Sequence, residues 1–295
     1  MSKPTIGFIG LGLMGTPMVE NLLNRGYAVQ VLGNRDRSGI ERMMAKGATE
    51  AATAREMAAS VDVVMLCMGT SDHVEGRMRG EDGVIAGLSD GKVVVDFGTS
   101  LPSSTRALGA EVASKGAAMI DAPLGRTPAH AIDGLLNIMA AGDDATFAKM
   151  KPVFEDQGEN VFHVGPLGAG HTIKLMNNFF GMTQANAMCE AFAIADKAGV
   201  SRQTLFDVIA AGPLRSGMME FVSAYALEGD PTKLEFSIAN AGKDVGYYNQ
   251  MVEDLGQESV MAKGPLNALR RAKDEGHGEE MVSQMYDSYA RWLNG

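Results

Sequence analysis

Apolar residues follow two rhythms along this chain of 295 residues. In the first half, short, largely apolar β-like runs alternate with stretches whose apolar positions recur every third or fourth residue. The runs at 6–9, 28–32, 61–68, 93–96, 118–121, 135–141 and 160–163 predict strands, because a short apolar run between turn signals suits a strand buried on both faces. The stretches 16–25, 38–46, 103–115 and 145–154 predict the helices between them. Regular alternation of this kind implies a parallel sheet covered on both faces. At Gly165-Pro166-Leu167-Gly168-Ala169-Gly170 the rhythm changes. From His171 onward the pattern is helical almost to the end, broken at Gly199, Gly212-Pro213, Gly229-Asp230-Pro231, Gly256 and Gly264-Pro265. Residues 173–198 read as one long apolar helix, of the kind that runs through the centre of a helical domain or into a partner subunit. The expected organisation is an α/β domain over 1–164 and an all-α domain over 165–295.

One turn in the first domain carries chemistry. Gly10-Leu11-Gly12-Leu13-Met14-Gly15 is a G-x-G-x-x-G directly after a predicted strand and directly before a predicted helix. That context makes it a dinucleotide-binding turn. Gly10 permits the tight bend, Gly12 lets the backbone approach a pyrophosphate, and Gly15 allows close packing of helix on strand. The free N–H groups and positive dipole end of the helix then face the anion. At the end of the second strand an Asp or Glu would bind the ribose 2′-hydroxyl of NAD, and a basic residue would accept the 2′-phosphate of NADP. The chain has Gly33-Asn34-Arg35-Asp36-Arg37 there. Asn34 stands at the acid's position and Arg35 can form a two-point contact with a phosphate. NADP(H) is therefore the expected cofactor, with NAD(H) open, since Asp36 could neutralise Arg35 or stand in for the missing acid.

Composition narrows the class further. A formal charge of −10 argues against a general nucleic-acid binder or an acidic-membrane binder, both of which need a basic face. It leaves room for a small anionic substrate, because a few arginines can dominate a pocket. The two cysteines, Cys67 and Cys189, belong to no Cys/His cluster and read as buried thiols in a reducing compartment. The five histidines show no metal-ligand spacing, so no metal is expected. No apolar run reaches the ~20 residues of a membrane span. The opening Met1-Ser2-Lys3-Pro4-Thr5 leads straight into the first strand, so a cytoplasmic location is expected. Twenty-one methionines read as core filler.

Five segments together resemble the β-hydroxyacid dehydrogenases, the family of 3-hydroxyisobutyrate dehydrogenase, tartronate semialdehyde reductase and sulfolactaldehyde reductase. The opening 8–15, continuing to Pro17-Met18 and Asn21-Leu22, is similar to that family's first motif. Asp96-Phe97-Gly98-Thr99-Ser100-Leu101-Pro102 resembles its D-x-S-T-x-x-P, with Gly98 in place of serine. Asp121-Ala122-Pro123 opens a segment resembling its substrate motif. Gly170-His171-Thr172-Ile173-Lys174-Leu175-Met176-Asn177-Asn178 matches its G-x-x-x-K-x-x-N-N, and Lys243-Asp244 its K-D pair. The resemblance spans essentially the whole chain in order. It implies a Rossmann domain joined by a long helix to an all-α domain of the 6-phosphogluconate dehydrogenase-like type, often in a homodimer or homotetramer, with the active site in the cleft between the domains. It also implies that Leu13, Met14, Met68, Thr99 and Lys243 join the glycines, Asn34 and Arg35 in holding the cofactor.

Interconverting an alcohol and a carbonyl requires a hydride, which the nicotinamide carries, and a proton on the oxygen, which the protein must move. Lys174 is the residue for that proton: it can protonate a developing alkoxide or accept the alcohol proton. Asn178 lies one turn further on the same helical face, where it can hydrogen-bond the substrate. His171, one turn before Lys174, reads as a helix-start residue that could also tune the lysine. Most of the family has a V-S-G-G-like stretch after D-A-P; this chain has Leu124-Gly125-Arg126-Thr127. Gly-Arg-Thr resembles the sulfolactaldehyde reductases in particular. Arg126 supplies a charged planar fork suited to a carboxylate or, with Thr127, to the three oxygens of a sulfonate. Gly125, Arg126, Thr127 and Asn178 are thus the expected substrate contacts. The expected activity is reduction of a small semialdehyde acid, sulfolactaldehyde-like or succinic semialdehyde-like. Oxidation of 3-hydroxyisobutyrate or a similar β-hydroxy acid with NAD is the alternative, and a dinucleotide-binding regulatory protein a remote third.

Overall fold

The structure, a computed structural model, describes residues 3–33 and 36–294. It divides into two compact units, Met1–Lys174 and Leu175–Gly295.

In the first unit six strands form a parallel sheet: β1 (Ile6–Ile9), β2 (Val29–Leu32), β3 (Thr49–Ala51), β4 (Val63–Leu66), β5 (Val93–Asp96) and β6 (Ala118–Asp121), in the spatial order β3-β2-β1-β4-β5-β6. All residues of β1, β4 and β5 are buried, which is why these strands appear as apolar runs, broken only by Asp96 at the end of β5. The strand order reverses between β1 and β4, and in open α/β sheets ligands bind at the carboxyl ends of the strands at such a point. The Gly10–Gly15 turn leaves β1 there, and Met68 follows β4 on the same edge.

The expectation of a single sheet is corrected. The runs at 135–141 and 160–163 belong to a second, three-stranded sheet made of β7 (Leu124–Gly125), β8 (Leu136–Ala140) and β9 (Gly158–His163). Only Ala122 and Pro123 separate β6 from β7, whereas a parallel neighbour needs a crossover of roughly a dozen residues. The chain therefore starts a new sheet, in which β7 runs antiparallel and β9 parallel to β8. Four helices lacked an apolar signature strong enough to predict: Ala54–Ser60, Ser71–Met78, Val84–Gly87 and Pro128–Asp133. Caps mark two of them, with Thr53 accepting from the Glu56 N–H and Thr70 from the His73 N–H. Strand β3, three residues long, was also missed.

The second unit is helical throughout, around a core that includes Phe192, Ile238, Val245, Leu269 and Met285. Its first helix, Ala169–Lys197, has 29 residues, starts within the first unit and begins four residues before the predicted start. Gly264-Pro265 does not break the chain; it lies in the first turn of the helix Lys263–Ala272, where proline's missing N–H would be unpaired anyway. Methionines serve the core unevenly: Met43 and Met219 are buried, but Met44 and Met176 are exposed. Cys189 is buried, with its thiol pushed up to about 12 by burial, while Cys67 is only partly buried; both are free. Among the described residues no helix is long and apolar enough to cross a membrane, and no cluster of His, Cys, Asp and Glu could hold a metal ion.

Candidate active site

The glycine turn has the geometry its spacing suggests. Gly10 adopts φ +106°, and a Cβ there would lie 2.2 Å from the carbonyl oxygen of Cys67. A Cβ on Gly15 would lie 1.9 Å from the Gly10 oxygen, so helix and turn are in contact. Gly12 is different, with open space around its missing side chain. The helix Gly15–Asn24 has no side-chain cap and no acidic residue in its first turn. Among the described residues the N–H groups of Leu13 and Met14 have no hydrogen-bond partner. Open space beside a glycine, unfilled donors and a helix N-terminus together fit the pyrophosphate of a dinucleotide. Leu13 is exposed, and Met68 and Thr99 are partly buried just beyond β4 and β5.

Asn34 and Arg35 lie outside the described residues. Their neighbours are engaged locally. Asp36 accepts from the Ser38 N–H and hydroxyl at 2.9 and 2.7 Å, which hold its carboxyl below the usual range. Arg37 makes a two-point contact with Glu50 on β3, at 3.0 and 2.9 Å.

The Lys174-bearing helix starts from a buried carboxylate. Asp121, at the end of β6, accepts from the Gly168 N–H at 2.6 Å and from the His171 N–H at 2.7 Å. These are donors of a helix start, which a carboxylate satisfies while favouring the dipole. Asp121 is fully buried, and desolvation raises its pKa against the pull of those donors and of His171. Gly170 explains the first position of G-x-x-x-K: a Cβ would lie 2.4 Å from the Met139 carbonyl oxygen and 2.8 Å from Asp121 Oδ2. His171 is fully buried, its Nδ1 2.7 Å from Thr105 Oγ1 and its Nε2 3.7 Å from Asp96 Oδ2. Asp96 in turn accepts from the Gly98 N–H at 2.8 Å and from Ser100 Oγ at 2.9 Å. A Cβ on Gly98 would lie 2.9 Å from Asp96 Oδ1 and 3.0 Å from the Met68 oxygen, so this loop is drawn tight around the missing side chain.

Lys174 is half-buried one turn after His171. Asn178, one turn later, is buried, and its Nδ2 donates to Asp244 Oδ2 at 2.5 Å. Lys243 Nζ lies 2.9 Å from the other oxygen of Asp244. An ionised carboxylate only accepts hydrogen bonds, so Asp244 dictates which way the Asn178 amide faces. Asn177 is exposed. The roles of Asp121 and Asp244 as supports were missed in the sequence; both sat inside family-like motifs, but each acts on a partner at least 47 residues away.

Gly125 ends β7 opposite Asn137. Arg126 follows at φ 76°, the one non-glycine residue with positive φ among those described, a conformation that costs a residue with a Cβ roughly 1–2 kcal/mol. Its Nη1 donates to the Leu135 oxygen at 2.7 Å and lies 2.5 Å from Glu159 Oε2. Thr127 precedes the helix Pro128–Asp133, with its hydroxyl 2.8 Å from His130 Nδ1.

Two family models cover the chain. Residues 5–165 match the NAD-binding domain of 6-phosphogluconate dehydrogenase, and residues 168–289 match the NAD-binding domain of NADP-dependent 3-hydroxyisobutyrate dehydrogenase. An NAD-dependent L-serine dehydrogenase of Pseudomonas aeruginosa is 31% identical over 96% of this chain and 97% of its own. The 3-sulfolactaldehyde reductase of Escherichia coli is 29% identical over 93% and 92%. A solved Mycobacterium tuberculosis 3-hydroxyisobutyrate dehydrogenase with L-serine superposes with a TM-score of 0.84 at 27% identity, covering 97% of this chain and 99% of that one.

Proposed function

Since this chain belongs to the β-hydroxyacid dehydrogenase family and is an NAD(P)-dependent oxidoreductase acting on a CH–OH group, we propose that it reduces a small semialdehyde acid to its hydroxy acid, with NADP(H) preferred. The observation that carries the reading is the helix start at Asp121, Gly170 and His171, which sets Lys174 and Asn178 on one helical face from a buried anchor.

In this reading residues 1–164 hold the cofactor and residues 165–295 supply the catalytic helix and the assembly surface. Gly10, Gly12, Leu13, Met14 and Gly15 hold the pyrophosphate, Asn34 and Arg35 the adenosine end, and Met68, Thr99 and Lys243 complete the cofactor's surroundings. When bound, the nicotinamide supplies the hydride. Lys174 donates the proton to the carbonyl oxygen as it becomes an alcohol, and takes it back in the reverse direction. Asn178, its amide held by Asp244, hydrogen-bonds the substrate. Gly125, Arg126 and Thr127 bind the anionic end. The helix Arg202–Ala210 has no buried residue, and Val208 and Leu214 stay exposed, which supports assembly as a homodimer or homotetramer. A cytoplasmic setting suits two free thiols.

The test is a spectrophotometric panel of C3–C5 carboxylate and sulfonate semialdehydes, run with NADPH and with NADH. Turnover of at least one acid with NADPH is expected. No turnover anywhere in the panel, despite tight cofactor binding, would overturn the reading. A second reading, NAD-dependent oxidation of a β-hydroxy acid, is favoured by the likeness to the L-serine dehydrogenase, so L-serine and 3-hydroxyisobutyrate with NAD belong in the same panel.

A further inference from the structure

Glu159 sits at an irregularity in the second sheet. The adjacent residues Leu136 and Asn137 of β8 pair with Gly158 and Asn160 of β9, so Glu159 is an extra residue with no partner across the ladder. A bulge re-aims the side chain it inserts, and bulges recur beside functional sites. This one aims a carboxylate at Arg126, whose Nη1 lies 2.5 Å from Glu159 Oε2. The same nitrogen donates to the carbonyl of Leu135, the residue before β8, at 2.7 Å. Arg126 itself holds a left-handed backbone that favours glycine. Two departures from local preference, a bulge and a positive φ, thus converge on one guanidinium, and such departures concentrate at functional positions.

A guanidinium is planar and offers edges for two-point contacts. Here Nη1 is occupied, while Nε and Nη2 have no hydrogen-bond partner among the described residues. A carboxylate that competed with substrate would take a two-point edge, as Glu50 does with Arg37. Between Glu159 and Arg126 the short contact is at Nη1, and no hydrogen bond joins Glu159 to Nε or Nη2. Its side chain is 53% exposed, so water screens its charge from an incoming anion.

We propose that Glu159 is a positioning residue for substrate recognition: with the Leu135 carbonyl it grips Arg126 by Nη1, so that the Nε–Nη2 edge stands ready as a two-point clamp for the substrate's acid group. This rests on the assignment of Arg126 to the anionic end of the substrate. The clamp favours an acid with two coplanar oxygens or two of a sulfonate's three, and it gives nothing to a neutral aldehyde. Preorganisation of this kind is read as lost affinity when the support is removed.

The experiment compares wild type, Glu159→Ala, Glu159→Gln and Arg126→Ala on succinic semialdehyde and on butanal, which has a methyl group where the first has its carboxylate. Releasing the guanidinium by Glu159→Ala should raise KM for the acid about 3- to 10-fold, the usual penalty for ordering one long side chain on binding. KM for butanal, the cofactor Kd and kcat should not move. Glu159→Gln keeps an acceptor oxygen beside Nη1 and should recover most of the loss. A purely structural role would lower Tm and affect both aldehydes alike, which overturns the proposal. So does a lower KM for the acid in Glu159→Ala, the mark of a competitor. Arg126→Ala separates the two ideas: if it spares the acid, the assignment of Arg126 fails; if it penalises the acid while Glu159→Ala does not, only the positioning role fails.

Discussion

Replacing Gly170 by alanine tests whether the helix that carries Lys174 depends on its close approach to the sheet. The added Cβ would stand 2.4 Å from the Met139 oxygen, 2.8 Å from Asp121 Oδ2 and 3.0 Å from the Asp121 carbonyl oxygen. Two of these are backbone atoms, in β8 and β6, and the third belongs to a carboxylate already held by two N–H groups. None can rotate away as a flexible side chain would. Ordinary contact begins at 3.4 Å, so the first turn must retreat by about 1 Å, the difference between 3.4 and 2.4 Å. A helix moves as a rigid rod over one turn, and Lys174 moves with it. A misplacement of about 1 Å can lower the rate of a positioned reaction about 10²-fold. Overpacking should also remove about 1–3 kcal/mol of stability.

The assay is steady-state kinetics at saturating cofactor, with urea unfolding and cofactor titration on the same protein. Expected for Gly170→Ala are a kcat lower by about two orders of magnitude, a modest loss of stability and a nearly unchanged cofactor Kd. Gly12→Ala is the control with the opposite signature. Nothing lies within 4 Å of its Cβ, so the fold should tolerate it while the cofactor Kd rises. Wild-type kcat in a folded Gly170→Ala protein would refute the idea that this anchor places Lys174.

Three further outcomes are expected. Lys174→Ala should fold and bind cofactor normally but lose at least ~10²-fold in kcat; single-turnover kinetics near the wild-type rate would remove the lysine from proton transfer. NADPH should exceed NADH in kcat/KM, and Arg35→Ala should harm NADPH more, because a two-point phosphate contact is what NADH lacks; equal losses would show that Arg35 does not read the 2′-phosphate. Asp121, whose folded-state pKa is raised by burial, binds a proton more readily folded than unfolded, so its contribution to stability falls as pH rises from about 4, its unfolded value, through the folded one. Asp121→Asn should remove that part of the slope in urea-unfolding free energy against pH, and an unchanged slope would show that the carboxyl does not titrate across that range.

What could be read from the sequence was what is local. The Gly10–Gly15 turn was legible because strand, glycines and helix are contiguous, and their contacts close within a few residues, except for the Cys67 carbonyl that seals Gly10. Strands β1, β4 and β5 were legible because burial on both faces leaves only Asp96, at the end of β5, as a polar position among them. Pairing across distance was not legible. Glu159 carries no signal in the chain, since its meaning arises only when β9 slips by one residue against β8 and meets an arginine 33 positions earlier. Arg126 stood out as a charge placed where the family has glycine, but its left-handed φ shows why glycine suits the spot: the backbone turn persists and the arginine sits in it under strain.

The same physics ties two of the informative motifs, the Asp121–Arg126 segment and the Gly170–Asn178 helix start, into one device. Asp121 opens the segment that leads to Arg126, and its carboxylate anchors the helix that carries Lys174. Gly170 permits the approach that lets those hydrogen bonds form. A change at Asp121 therefore reaches both the start of the β7 loop and the helix that carries Lys174, and the two should fail together rather than separately. Motifs far apart in the chain would then be kept in step because one buried carboxylate serves them both, with little freedom to adjust for one without disturbing the other.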